Sequence, residues 1–139
     1  GHSRTLIPGA DTTGARVIDV TAFPDISALL LAADALITDY SSVMFDFTGT
    51  GKPVYFFTPD LDDYRGRLRG FYFDLADRAP GPLTSTQEEL TAALLDPDST
   101  TRFADRYGAW ASRFNARDDG RAAERVVARL LDQGMIARD

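Results

Sequence analysis

The sequence predicts an α/β fold built on a parallel sheet flanked by helices. Short apolar or β-branched runs alternate with stretches of helical period, in the order strand, helix, strand, helix, strand, which is the pattern of βαβ units. The chain has 139 residues, 44% of them hydrophobic and 11% aromatic, and no cysteine. A single domain over residues 1–139, with its own packed core and no disulfide or metal staple, is therefore expected.

The elements follow in chain order. "RVIDV" (residues 16–20) is short and β-branched and reads as a strand. In "FPDISALLLAAD", Asp25 is placed to cap a helix whose apolar stripe is Ile26, Leu29, Leu30 and Ala33. "ALIT" (35–38) is a second, buried strand. Residues 41–49 read as a helix with Val43, Phe45 and Phe47 inward, closed by Gly49 and Gly51. "KPVYFF" (52–57) is a third strand, with Pro53 tolerated near its start.

The stretch "TPDLDDYRGRLRGFYFDLADRAPGPL" has no sustained period, and a loop this long in a compact domain points to function. A short helix over 61–64, a loop over 69–73 and a turn at Pro80-Gly81-Pro82 are expected within it. Beyond it, Thr86 and Glu89 have capping-box spacing at the head of "TQEELTAALLD". "TTRFADRYGAWASRFNA" reads as one helix in which Phe103, Tyr107, Trp110 and Phe114 form an aromatic stripe suited to core or interface packing. The last helix, "GRAAERVVARLLDQG", carries Ala122, Val126, Val127 and Leu130 on one face, and Arg121, Arg125 and Arg129 on a solvated one.

Charge narrows the function classes. Fifteen basic against 21 acidic residues give a net charge of −6, which argues against sequence-independent nucleic-acid binding and predicts no nucleic-acid partner. Lys52 is the only lysine among those fifteen basic residues, the rest being arginine; arginine grips phosphate with two parallel hydrogen bonds, so a local anion site stays compatible with the acidic balance. No run approaches the ~18 apolar residues of a membrane span, and no secretory leader is seen.

"LITDYSSVMFDF" (36–47) carries the chemistry. Ligands of an open parallel sheet bind beyond the carboxyl ends of its strands, and Asp39 to Ser42 occupy that rim. The amides and hydroxyls of Ser41 and Ser42 suit a phosphate at a helix start. The alternative is structural: Ser41 caps the helix and Asp39 hydrogen-bonds the turn. Asp46, four residues after Ser42, lies on the same helix face, where it can accept from ribose or other vicinal hydroxyls, or pair with Lys52 or an arginine. Arg65, Arg67 and Arg69 in "DYRGRLRG" supply phosphate-neutralising charge if that loop folds over the rim. "DLDD" has the outline of a metal-binding D-x-D triplet, but such triplets are common and no metal ligand is assigned. His2, the only histidine, is either a tag remnant in "GHS" or a native residue.

Together, "DVTAFPDISALLLAADALITDYSSVMFDF", "KPVYFFTPDLDDYRGRLRGFYFD", "PGPL" before "TQEEL", and "DDGRAAERVV" resemble the CDP-glycerol glycerophosphotransferase family, the polymerases and primases of teichoic-acid synthesis. The resemblance implies a Rossmann-like domain, the C-terminal, donor-binding half of a two-domain GT-B enzyme whose acceptor-binding N-terminal half is absent from this chain. It implies transfer of glycerol phosphate, or a related polyol phosphate, from a CDP-linked donor to a lipid-linked polymer, with release of CMP and without a cofactor. Asp39, Ser41 and Ser42 would then hold the donor pyrophosphate, Arg69 in "RGFYFD" would border it, and His2 would be the family's functional histidine. The family works in the cytoplasm at the inner membrane face. Two rivals stand beside it: another nucleotide-sugar GT-B transferase, and a non-catalytic docking module.

Overall fold

The computed structural model describes residues 18–61 and 73–137. The chain divides into two compact units, one ending at Ala33 and one running from Asp34 to Asp139.

In the first unit, α1 (Ile26–Ala32) starts where the sequence places it. The Asp25 carboxylate accepts from the amides of Ser27 and Ala28, satisfying two of the donors a helix start leaves open. The strand expected at 16–20 does not appear in its described part, Ile18 to Val20. Asp19 Oδ1 accepts from the Thr21 amide at 2.9 Å, and Val20 O accepts from the Phe23 amide at 2.9 Å. A local side-chain turn thus takes the backbone groups that a strand would pair.

The second unit contains a parallel sheet of β1 (Leu36–Thr38), β2 (Val54–Phe57) and β3 (Leu83–Thr84), in that spatial order. Leu36 pairs with Val54 and Phe56 with Leu83. Val54, Tyr55 and Phe56 of the middle strand are all buried, as expected of a strand covered on both faces. α2 (Val43–Thr48) packs on β1 and β2, and α4 (Gln87–Leu95) packs on β2 and β3. The expected α/β architecture, a parallel sheet flanked by helices, is borne out. Between β2 and β3 lies α3 (Leu75–Arg78), capped by Asp74.

Three local expectations change. The buried residues of α2 are Met44, Phe47 and Thr48, the i, i+3, i+4 set of a helix; Phe47 is inward as expected, whereas Val43 and Phe45 are half-buried, Phe45 against Trp110. β3 was not expected: two residues after Pro-Gly-Pro carry no period, and pairing alone defines them. The single aromatic helix is two, α5 (Ser99–Arg102) and α6 (Ala104–Phe114), broken at Phe103, whose ψ is 4°. Ser99 is buried, and Phe103 lines a cavity of about 290 Å³ with Pro53, Pro80 and Pro82, so tertiary packing sets the break.

The aromatic stripe packs inward, with Trp110 buried and Phe103, Tyr107 and Phe114 half-buried. Trp110 stacks on Phe45 of α2 with centroids 5.1 Å apart and tilts against Phe114 at 4.6 Å. Trp110 Nε1 donates to Thr48 Oγ1 at 3.1 Å. Asn115 Nδ2 donates to Phe45 O at 2.9 Å, and Tyr107 Oη, its ionisation pushed up by burial, lies 2.9 Å from Lys52 O. Three side chains of the α6 region therefore clamp the C-terminal end of α2 and the turn into β2.

At the head of α4 the Thr86 hydroxyl accepts from the Glu89 amide and Glu89 reaches back, completing the capping box. Hydrogen bonds from the amide and hydroxyl of Ser85 hold the Glu89 carboxyl below the usual glutamate range. Thr86→Ala is expected to cost about 1 kcal/mol, read as a lower urea midpoint with an unchanged slope. The last helix, α7 (Ala122–Asp132), has no buried residue; Arg125 binds both carboxylate oxygens of Asp119, at 2.7 and 2.8 Å, and Arg121 pairs with Glu124.

Candidate functional site at the carboxyl rim

The three strands end side by side at Thr38, Phe57 and Thr84, and the residues that follow each end form one polar rim. Beyond β1, Asp39 Oδ1 accepts from the Ser41 amide at 2.9 Å, so Asp39 shapes the turn and the Ser41 amide is committed. Ser41 Oγ lies 3.4 Å from the Val43 amide, at the long end of hydrogen bonding. Ser42 is the N-cap residue of α2, yet its side chain makes no capping bond. Its hydroxyl is exposed and has no hydrogen bond to a described residue. Asp46 lies one turn further on, also exposed, and forms no ion pair with Lys52 or any described arginine. Asp39 and Ser41 thus make hydrogen bonds within the turn, whereas the side chains of Ser42 and Asp46 make none with a described residue.

Beyond β2 the chain runs through Thr58, Pro59 and Asp60. Asp60 Oδ1 accepts a 2.7 Å hydrogen bond from Tyr40 Oη, joining the rim segments after β1 and β2 across 20 residues of sequence. At the end of β3 stands Thr84, followed by Ser85. Thr84 Oγ1 donates to Phe56 O at 2.7 Å. A cleft of about 390 Å³ opens between the ends of β2 and β3, lined by Thr58, Asp60, Leu83, Thr84 and Ser85 among others.

Arg69 and His2 lie outside the described residues, as do Arg65, Arg67 and most of the 61–64 and 69–73 segments. Of the D-x-D triplet only Asp60 is described, and no cluster of three metal-ligating side chains occurs among the described residues. Sequence reasoning singled out the β1 end, weighed the segment after β2 only as a metal triplet and an arginine loop, and missed the β3 end. The signal for Asp60 was its place just after a strand; Ser85 had no such signal, because β3 was not legible.

In open parallel α/β sheets ligands bind beyond the carboxyl ends of the strands, and here that rim carries exposed hydroxyls and carboxylates. The chain belongs to the family described as CDP-Glycerol:Poly(glycerophosphate) glycerophosphotransferase, which matches residues 5–132. It is 44% identical over 110 residues to the teichoic acid poly(glycerol phosphate) polymerase of Bacillus subtilis strain 168, covering 78% of this chain and 15% of that protein. It is 42% identical over 116 residues to the teichoic acid glycerol-phosphate transferase of Staphylococcus aureus strain NCTC 8325 / PS 47, covering 83% of this chain and 30% of the relative. A structure of the wall teichoic acid polymerase TagF soaked with CDPG superposes with a TM-score of 0.75 at 37% identity, covering 84% of this chain and 29% of that one. The chain thus spans less than a third of each of these proteins.

Proposed function

We propose that this chain is the donor-binding portion of a larger GT-B enzyme that transfers glycerol phosphate, or a related polyol phosphate, from a CDP-linked donor to a lipid-linked teichoic-acid-type polymer, releasing CMP. The observation that carries the reading is the pair Ser42 and Asp46, one turn apart and unengaged at the carboxyl end of β1. Ser42 would donate to a donor phosphate and Asp46 would accept from the ribose hydroxyls. Asp39 and Ser41 hold the turn that presents Ser42. Family membership and the CDPG soak of the related polymerase support the choice of donor.

In the proposed reaction an acceptor hydroxyl oxygen attacks, in line, the donor phosphorus that bears the polyol. The new P–O bond forms as the P–O bond to CMP breaks, and the hydroxyl proton passes to a base. Binding groups do most of the work by positioning the reactants and offsetting charge on the leaving CMP. Arg69 is assigned to that charge, and His2, or a group from the acceptor-binding half, to the base. The acceptor half forms the other wall of the cleft, so the 139-residue chain alone is expected to give no turnover. In the whole enzyme the domain sits at the inner face of the membrane without spanning it; among the described residues no helix is long and apolar enough to cross one.

Ser42→Ala in the full-length enzyme is expected to weaken CDP binding about tenfold, the worth of one hydrogen bond to a charged group. Calorimetric titration reads it, with glycerophosphate transfer measured alongside. Unchanged affinity and rate in that variant would remove Ser42 from the donor site.

A further inference from the structure

Arg78 at the end of α3, with Arg106 and Arg113 of α6, surrounds a cleft of about 120 Å³. Asp77 is the one carboxylate that lines it, so three cations face one anion in a chain whose net charge is −6. All four residues are exposed. Trp110 and Phe114 make the apolar wall. The ion pairs among the described residues join Arg102 to Asp96, Arg121 to Glu124 and Arg125 to Asp119, and none of the three cleft arginines takes part. Two of them are nonetheless oriented. Arg106 Nη1 donates to Ala76 O at 3.3 Å, which draws its guanidinium toward α3. Arg113 lies over the Phe114 ring, 5.3 Å from its centre. A guanidinium stacked on a ring keeps its N–H edge free for oxygen acceptors.

The spacing selects the shape of the anion. Arg106 and Arg113 stand two turns apart on one face of α6, roughly 10 Å along the helix axis. Ala109 lies between them on that face and leaves the groove open. A strip of this length suits a linear polyanion with a phosphate in each repeat better than a single phosphate. Trp110 and Phe114 also pack on Phe45 of α2, the helix that starts at the rim. The cleft thus adjoins the proposed donor site without sharing a residue with it.

We infer that this cleft binds the polyphosphodiester chain of the acceptor, holding repeats already added while the terminal hydroxyl reacts. The choice of polymer rests on the transfer reaction proposed above. Calorimetric titration of the full-length enzyme with a soluble poly(glycerol phosphate) oligomer, with monomeric glycerol phosphate and with CDP separates the sites. Arg78→Gln and Arg113→Gln are each expected to weaken the oligomer roughly fivefold, the upper worth of an exposed ion pair, and the double variant about twentyfold. CDP affinity is expected to stay unchanged, and the monomer to bind far more weakly than the oligomer. Arg117→Gln removes a charge outside the cleft and is expected to leave oligomer affinity at the wild-type value.

Wild-type oligomer affinity in the double variant, an equal loss in Arg117→Gln, or a parallel loss of CDP overturns the inference. So does an oligomer that binds no tighter than the monomer. A loss confined to phosphatidylglycerol vesicles, with the oligomer unaffected, assigns the cleft to a lipid surface and overturns it too. A wild-type enzyme that binds CDP but no oligomer overturns this inference alone; one that binds neither overturns the donor reading with it.

Discussion

Gly81→Ala is expected to be the most destabilising single change in the Asp34–Asp139 unit, lowering its melting transition well below that of the wild type. A Cβ added at Gly81 would fall 1.8 Å from Val54 O and 2.9 Å from Val54 C. The obstacle is the backbone of the middle strand, so no side chain can rotate away. Relief requires moving the Pro80–Pro82 segment by more than about 1 Å, from roughly 1.8 Å to ordinary contact distance. That movement breaks the hydrogen bond from the Phe56 amide to Pro82 O, 2.9 Å long, and with it the β2–β3 register on which the rim depends. The expected loss exceeds about 4 kcal/mol, against a total of roughly 5–15 kcal/mol for an ordinary domain. A circular-dichroism melt of the variant decides the matter; a transition within a few degrees of wild type would show that the close approach is tolerated.

Trp110→Ala comes second, at about 3–5 kcal/mol. The indole is 2% exposed and removing it deletes the stack on Phe45, the contact with Phe114 and the donor to Thr48 Oγ1 together. Trp110→Phe separates these effects. It keeps a ring between Phe45 and Phe114 and loses the Nε1 hydrogen bond, so a smaller deficit, beginning at about 1 kcal/mol for that bond, is expected. Equal losses in the two variants, measured by urea denaturation, would place the whole effect in the polar clamp instead of the aromatic packing.

These two positions show which levels of structure the sequence made legible. Trp110 could be read in advance, because Phe103, Tyr107, Trp110 and Phe114 recur at helical spacing and an apolar stripe of that period needs a partner surface. Gly81 could be read only as part of a Pro-Gly-Pro turn. Its significance comes from Val54, a residue distant in sequence, whose carbonyl lies against it in the fold. The same division runs through the rim. "ITDYSS" could be placed at a strand end from its own residues, and Asp46 one helical turn beyond Ser42 follows from spacing alone. The link from Tyr40 to Asp60 follows only once β1 and β2 pair in parallel.

By itself the sequence determined the elements whose causes lie within three or four residues: the Asp25 cap of α1, the Thr86–Glu89 capping box, the aromatic stripe, and the alternation that requires a parallel sheet. Those features depend on local backbone geometry, which a short window contains. The tertiary structure alone decided the two-residue β3 and the helix break at Phe103. Each of these is a competition for one hydrogen-bonding group or one packing surface. Its outcome depends on partners that chain folding brings together from distant sequence positions, whereas the missing strand at 18–20 follows from a local Asx-type turn at Asp19. So "DYSS" could be placed at a strand end from its own residues, and the fold distinguished Ser42, whose hydroxyl makes no hydrogen bond with a described residue, from Asp39 and Ser41, which hydrogen-bond within the turn.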